Sequence, residues 1–139
     1  MARVLVTHPL PPGGLDPVLS AGHEVVEPDG PDPDLAALAG EVDAILCLLT
    51  DRIDAAVLRA GAAGRLRVVS LAAVGYDNVD VAEATTLGIT VCNTPGILDE
   101  TTADLAFLLI LSANRLSSDA EADLRAGRWT GWDLSLIHI

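Results

Sequence analysis

The sequence predicts an α/β fold built on a parallel, flavodoxin-like five-stranded sheet, followed by a helical segment of different character. Three observations predict it. Apolar runs of four to seven residues alternate with helix-like segments along most of the chain. The chain has 139 residues and 50% of them are hydrophobic, enough for a real core in one domain and too few for two full ones. Aromatics make up only 3%, so the apolar mass is Ala, Val, Leu and Ile, which suits parallel strands under small-residue helices.

The elements read in order. Arg3–Thr7 (RVLVT) is the first strand, and 13–21 a short helix with Asp16 and Pro17 near its first turn. His23–Glu27 is the second strand, and Pro28–Pro33 (PDGPDP) a turn-rich loop. Asp34 is placed to cap a helix over Leu35–Ala39 that stops at Gly40. Ala44–Leu49 (AILCLL) is the third strand, apolar without alternation, which signals burial on both faces. A helix over 54–60 should end at Gly61. Arg67–Ala73 is the fourth strand, 80–87 a helix closed by Gly88, and Thr90–Asn93 the fifth strand. Repeated strand–helix units imply parallel pairing with right-handed crossovers, and a flavodoxin-like strand order is expected.

After Asn93 the pattern changes. Pro95 and Gly96 mark a loop, and Asp99 or Thr101 could cap a long helix over 101–114. Its stretch Ala103–Ala113 (ADLAFLLILSA) is apolar nearly all round, so it calls for burial on most sides, by a further domain or a second subunit. A second helix, 118–126, should end at Gly127. The last six residues, Leu134–Ile139 (LSLIHI), follow Asp133 abruptly and read as a frame or assembly artefact, with a native hydrophobic tail as the alternative.

Charge and composition exclude several classes of function. The net charge is −12, and all eight basic residues are arginine. Such a chain repels phosphate backbones and anionic lipid, so neither nucleic acid nor membrane is expected as a partner. The absence of lysine also removes a P-loop enzyme. It argues against a receiver-like signalling domain too, which needs a Lys after its fifth strand. Cys47 and Cys92 sit in apolar runs and read as buried free thiols, with no metal-binding spacing. The N-terminal apolar run is soon broken by Pro9, and the stretch around Leu105–Leu111 is too short for a bilayer, so a cytoplasmic location is expected.

Two strand-end loops draw attention as sites, because ligands of open parallel sheets gather beyond the C-terminal strand ends. Leu49 and Thr50 stand at the C-terminal end of the third strand, although Thr50 or Asp51 could simply cap the next helix. Val74-Gly75-Tyr76-Asp77-Asn78-Val79-Asp80 follows the fourth strand. Gly75 would permit a turn that presents consecutive N–H groups to a carboxylate, with Asn78 and Asp80 free to cap the helix. His8 and His23 at strand ends read as solvated or capped.

The combination VGYDNVDV, GITVCNTPG, ETTADLAFLLILSANR and RAGRWTGW, in this spacing from Val4 to Asp133, resembles the D-2-hydroxyacid dehydrogenases, and most of all their glyoxylate and hydroxypyruvate reductases. The resemblance implies that residues 1–98 are the first part of a substrate domain. Residues 99–133 would then open a Rossmann nucleotide-binding domain that is otherwise missing here, with helix 101–114 at a homodimer interface. It implies that Val74 and Gly75 amides hold the carboxylate of a small 2-oxo or 2-hydroxy acid, that Leu49 lines its pocket, and that Thr102 lies near the nicotinamide end of NAD or NADP.

The family's dinucleotide fingerprint, catalytic Arg, Glu and acid–base His would follow Asp133, so no catalytic residue is assigned in this chain, and alone it is expected to be inactive. Gly61–Gly64 (GAAG) lacks the strand that would make it the fingerprint, and His138 lies in the anomalous tail. The competing reading is a non-catalytic α/β module that binds a small carboxylate.

Overall fold

The computed structural model describes residues 1–30 and 33–131. Pro31 and Asp32 of the expected turn-rich loop, His138 and the expected tail Leu134–Ile139 lie outside the described residues. The chain divides into two compact units, Met1–Gly96 and a second beginning at Ile97.

The first unit holds five strands, β1 (Arg3–Val6), β2 (Glu24–Val26), β3 (Ala44–Cys47), β4 (Val68–Leu71) and β5 (Thr90–Cys92). They form one sheet in the order β2-β1-β3-β4-β5, all parallel. This is the expected flavodoxin-like order. Register places Val26, Leu5, Ile45, Val69 and Val91 in one row across the sheet. Leu5, Ile45 and Val69 in that row are fully buried.

Four helices connect the strands: α1 (Asp16–Ser20), α2 (Leu35–Ala39), α3 (Ala55–Ala63) and α4 (Val81–Thr86). Each of the last three starts at an aspartate whose side chain accepts from the first turn. Asp34 takes Ala37 N–H, Asp54 takes Ala56 and Val57, and Asp80 takes Glu83. Such a cap is worth about 1 kcal/mol, because it satisfies a donor that the helix itself cannot. The chain steps one way from β1 to β2 and the other way thereafter. Right-handed crossovers therefore put α1 on one face and α2, α3 and α4 on the other. Core residues come from the three-helix side, among them Ala39, Leu58 and Ala84, and α1 buries none of its own.

That asymmetry corrects the reading of β3 as buried on both faces. Ile45 and Cys47 are buried, while Ala44 and Leu46 are only partly covered. Helix α3 corrects another boundary, since it runs through Gly61 to Ala63. Gly61 is there for close packing. A Cβ on it would stand 2.9 Å from Leu66 Cβ, and Leu66 is fully buried. Gly88, by contrast, does end α4 as expected, at φ +70°.

The second unit holds α5 (Asp99–Asn114) and α6 (Ser117–Arg125), joined through Leu116 in the left-handed region. Helix α5 starts two residues before the expected 101–114, and neither Asp99 nor Thr101 caps it. Leu98 is the N-cap residue, and Thr101 Oγ1 donates to its carbonyl at 3.0 Å. Leu105, Phe107, Leu108, Leu109, Ile110 and Leu111 are all more than half exposed. Among the described residues, no helix is long and apolar enough to cross a membrane.

Candidate carboxylate-binding site

The loop after β3 is built around one carboxylate. Asp51 Oδ2 accepts from Leu48 N–H at 2.8 Å and from Thr7 Oγ1 at 2.7 Å, and Oδ1 lies 3.0 Å from His8 Nε2. Asp51 is therefore not the helix cap that its position allowed; Asp54 has that role. Nor is His8 merely solvated. It is paired with a nearly buried aspartate, across the switch point between β1 and β3. Helix capping reads locally in a sequence, whereas Thr7 and Asp51 stand 44 residues apart, and no local signal reports such a pairing.

Leu49, on the turn that Asp51 closes, is 55% exposed, and the next loop explains why its side chain is out. A Cβ built on Gly75 would stand 3.5 Å from Leu49 Cδ2, so the Leu49 side chain lies beside the Gly75 backbone. Three of the residues singled out from sequence, Leu49, Val74 and Gly75, thus share one corner at the C-terminal edge of β3 and β4.

The loop after β4 is tied on its other side to β5. Thr94 N–H donates to the Ala73 carbonyl at 2.9 Å, and Asn93 Nδ2 to the Val74 carbonyl at 2.8 Å. These bonds engage the carbonyls and leave the opposite polarity free. Among the described residues, no backbone or side-chain acceptor takes the N–H of Val74 or Gly75. Two adjacent donors without acceptors at a strand end can serve an anion, each charge-assisted bond being worth roughly 1.5–3 kcal/mol. Gly75 makes this turn without a left-handed backbone; its φ is outside the positive range. A Cβ there would meet Leu49 at ordinary contact distance, so packing does not demand the glycine, and its bare backbone leaves the face beside Leu49 open.

Of the two candidate caps in this loop, Asn78 and Asp80, only Asp80 caps. Asn78 Nδ2 instead donates to two carbonyls of the neighbouring loop, Leu48 at 3.0 Å and Asp51 at 2.7 Å. Backbone bonds run beside it, from Ile53 N–H to the Asn78 carbonyl and from Asp80 N–H to the Ile53 carbonyl.

Thr102 lies in the second unit, in the first turns of α5. Its N–H donates to the Leu98 carbonyl and its side chain is exposed. A dinucleotide needs a glycine-rich turn between strand and helix to cradle its pyrophosphate, and α5 enters from Leu98 without one. The loop 93–98 therefore supplies no pyrophosphate cradle beside Thr102. Among the described residues no cluster could hold a metal ion. Cys47 is buried as expected, and burial first, then the Asp51 charge, pushes its thiol up to about 12. Cys92 is exposed, against expectation, because on the edge strand β5 it alternates with the core-facing Val91 and so lies on the face away from α2, α3 and α4.

The likeness to known proteins decides the family. Residues 4–130 match the family model for the catalytic domain of D-isomer specific 2-hydroxyacid dehydrogenases. The chain belongs to that family. A glyoxylate reductase of Korarchaeum cryptofilum is 45% identical over 130 residues, covering 91% of this chain and 39% of that protein. A glyoxylate reductase of Aeropyrum pernix is 45% identical over 138 residues, covering 94% and 40%. The crystal structure of the TT0316 protein from Thermus thermophilus superposes with a TM-score of 0.84 at 36% identity, covering 94% of this chain and 42% of that one. The chain of this dehydrogenase family member thus spans about two fifths of the length of these relatives.

Proposed function

We propose that this chain supplies the substrate-binding part of an NAD(P)-dependent D-2-hydroxyacid dehydrogenase that reduces a small 2-oxo acid such as glyoxylate or hydroxypyruvate. One observation carries the reading. The Val74 and Gly75 amides, without an acceptor among the described residues, stand beside Leu49 at the strand edge where parallel sheets bind ligands. A carboxylate approaching a protein of charge −12 needs local donors to offset the general repulsion, and these amides provide them. Leu49 gives the small acid an apolar wall. The work of this chain is binding and orientation, which convert encounter into a fixed pose; proton and hydride transfer belong to groups elsewhere.

In the same reading, residues 1–98 are the substrate domain and residues 99–133 begin the nucleotide domain, with Thr102 toward the nicotinamide. The apolar surface of α5 is the contact between two copies. A cytoplasmic location goes with this chemistry.

The test is a titration of the chain with glyoxylate, followed through its backbone amide resonances. Saturable shifts centred on Val74 and Gly75 are expected. Shifts centred on the His8 edge, or none, would remove the assignment. Shifts at Val74 and Gly75 in a full-length protein without reductase activity would leave a carboxylate-binding module instead.

A further inference from the structure

We propose that Asn78 is a positioning residue, whose side-chain amide holds the Leu49 turn against the Gly75 loop and so sets the shape of the carboxylate site. The inference rests on the reading of Val74 and Gly75 as carboxylate donors, and names what fixes the wall opposite them.

Both hydrogens of Asn78 Nδ2 are used, on the carbonyls of Leu48 and Asp51. Those two carbonyls bracket Leu49 and Thr50, so the amide clamps both ends of the turn that carries Leu49. The same turn is held from the far side by Asp51, through Thr7, Leu48 N–H and His8. Beyond it, the bridge between Ile53 and Val79 continues the attachment of the two loops. Leu49 therefore meets Gly75 because its loop is fastened on two sides, and the Asn78 amide is the side-chain fastening from the Gly75 loop, placed at the Leu49 turn itself while the backbone bonds lie farther along at Ile53.

No other residue type does this in the same space. Aspartate would turn acceptors toward two carbonyl oxygens, and leucine would leave both carbonyls unpaired. Rotating the amide would put Oδ1 against the same carbonyls, so the partners fix its orientation. Asn78 Oδ1 is then buried with no partner among the described residues. A buried acceptor left unpaired is a cost without return in bonding. The amide is retained for its two donors.

The experiment compares the wild-type chain, Asn78→Ala, Asn78→Ser and Val69→Ala in the glyoxylate titration. It also records each melting temperature and the proximity of the Leu49 methyl groups to the Gly75 α-protons by nuclear Overhauser effect. Val69 is buried in the sheet centre, and its truncation lowers stability without touching the site. Losing two hydrogen bonds that orient Leu49 should weaken glyoxylate binding about tenfold in Asn78→Ala. A smaller loss is expected in Asn78→Ser, which keeps a donor, and both variants should show a weaker Leu49–Gly75 contact. Val69→Ala should bind as the wild type does, despite melting earlier. Unchanged affinity in a folded Asn78→Ala, or an equal loss in Val69→Ala, overturns the positioning role. Asn78→Ser decides the matter if the alanine variant does not fold. A wild-type chain with no saturable shift at Val74 and Gly75 overturns the carboxylate reading itself, and the role of Asn78 with it.

Discussion

Replacing Gly64 by alanine tests how the helix layer of the first unit is packed. Gly64 ends α3 with φ −106° and ψ −118°, where its backbone passes directly over Gly40, the residue that ends α2. A Cβ on Gly64 would overlap the Gly40 carbonyl oxygen and stand 2.7 Å from its carbonyl carbon and Cα. Gly40 has little room to retreat. Its carbonyl accepts from Arg65 N–H, its N–H donates to Leu38, and Ala39 beside it is fully buried. Overpacking costs about 1–3 kcal/mol, and the upper end applies because the obstruction is backbone and cannot change rotamer. In a unit of this size each kcal/mol lowers the melting temperature by about 4–8 °C, so a drop of roughly 10–20 °C is expected. Gly88→Ala is the comparison. Gly88 has φ +70° and nothing within 4 Å, so alanine there meets only left-handed strain of about 1–2 kcal/mol. Thermal unfolding followed by circular dichroism reads both. Gly64→Ala melting within a few degrees of the wild type, or later than Gly88→Ala, would refute the close contact between the ends of α2 and α3.

Other expectations follow from the same structure. Cys92 should react with a thiol reagent in the native chain while Cys47 resists until denaturant is added, and two thiols reacting at once would contradict the burial of β3. Asp43 holds Arg3 N–H and the Arg65 guanidinium, in that order of effect, and its carboxyl lies below the ordinary 3.8. The stability it contributes is therefore present above pH 3.8 and lost as pH falls through its lower folded value, so Asp43→Asn should flatten the acid limb of the urea midpoint against pH. Phe107→Arg places a charge on an exposed apolar helix, and each large side chain buried in a contact is worth about 1.5–3 kcal/mol. Sedimentation should show self-association of the wild type and its loss in the variant; a monomeric wild type would contradict the proposed contact.

What the sequence made legible is what depends on neighbours along the chain. The strand order follows from alternating elements and crossover handedness, and the Asp34 and Asp80 caps from an aspartate just before a helical run. Helix α2 matches its expected span because both its signals, Asp34 and Gly40, are local. Gly61 misled for the reason that glycine serves two purposes: it stops helices, and it lets another group approach, here Leu66. The corner formed by Leu49 and Gly75 could be picked out by its residues and not by its construction. Leu49 and Gly75 stood out by their place at strand ends, yet the pieces that hold them together, Asp51 to Thr7 and Asn78 to Leu48, join loops that only the folded sheet brings side by side. His8 escaped for the same cause, since its partner lies on the other side of the β1–β3 switch.

In the function proposed above, this chain holds the substrate carboxylate of a 2-hydroxyacid dehydrogenase. The most direct test joins residues 1–130 to the remaining sequence of the Aeropyrum pernix glyoxylate reductase and measures glyoxylate-dependent oxidation of NADH and NADPH. Turnover by the chimera is expected. Gly75→Val, whose first carbon already fits against Leu49 at contact distance, should leave the melting temperature unchanged within a few degrees and raise KM for glyoxylate about tenfold or more. A folded chimera that binds cofactor but reduces no glyoxylate, or a Gly75→Val variant with unaltered KM, would contradict it.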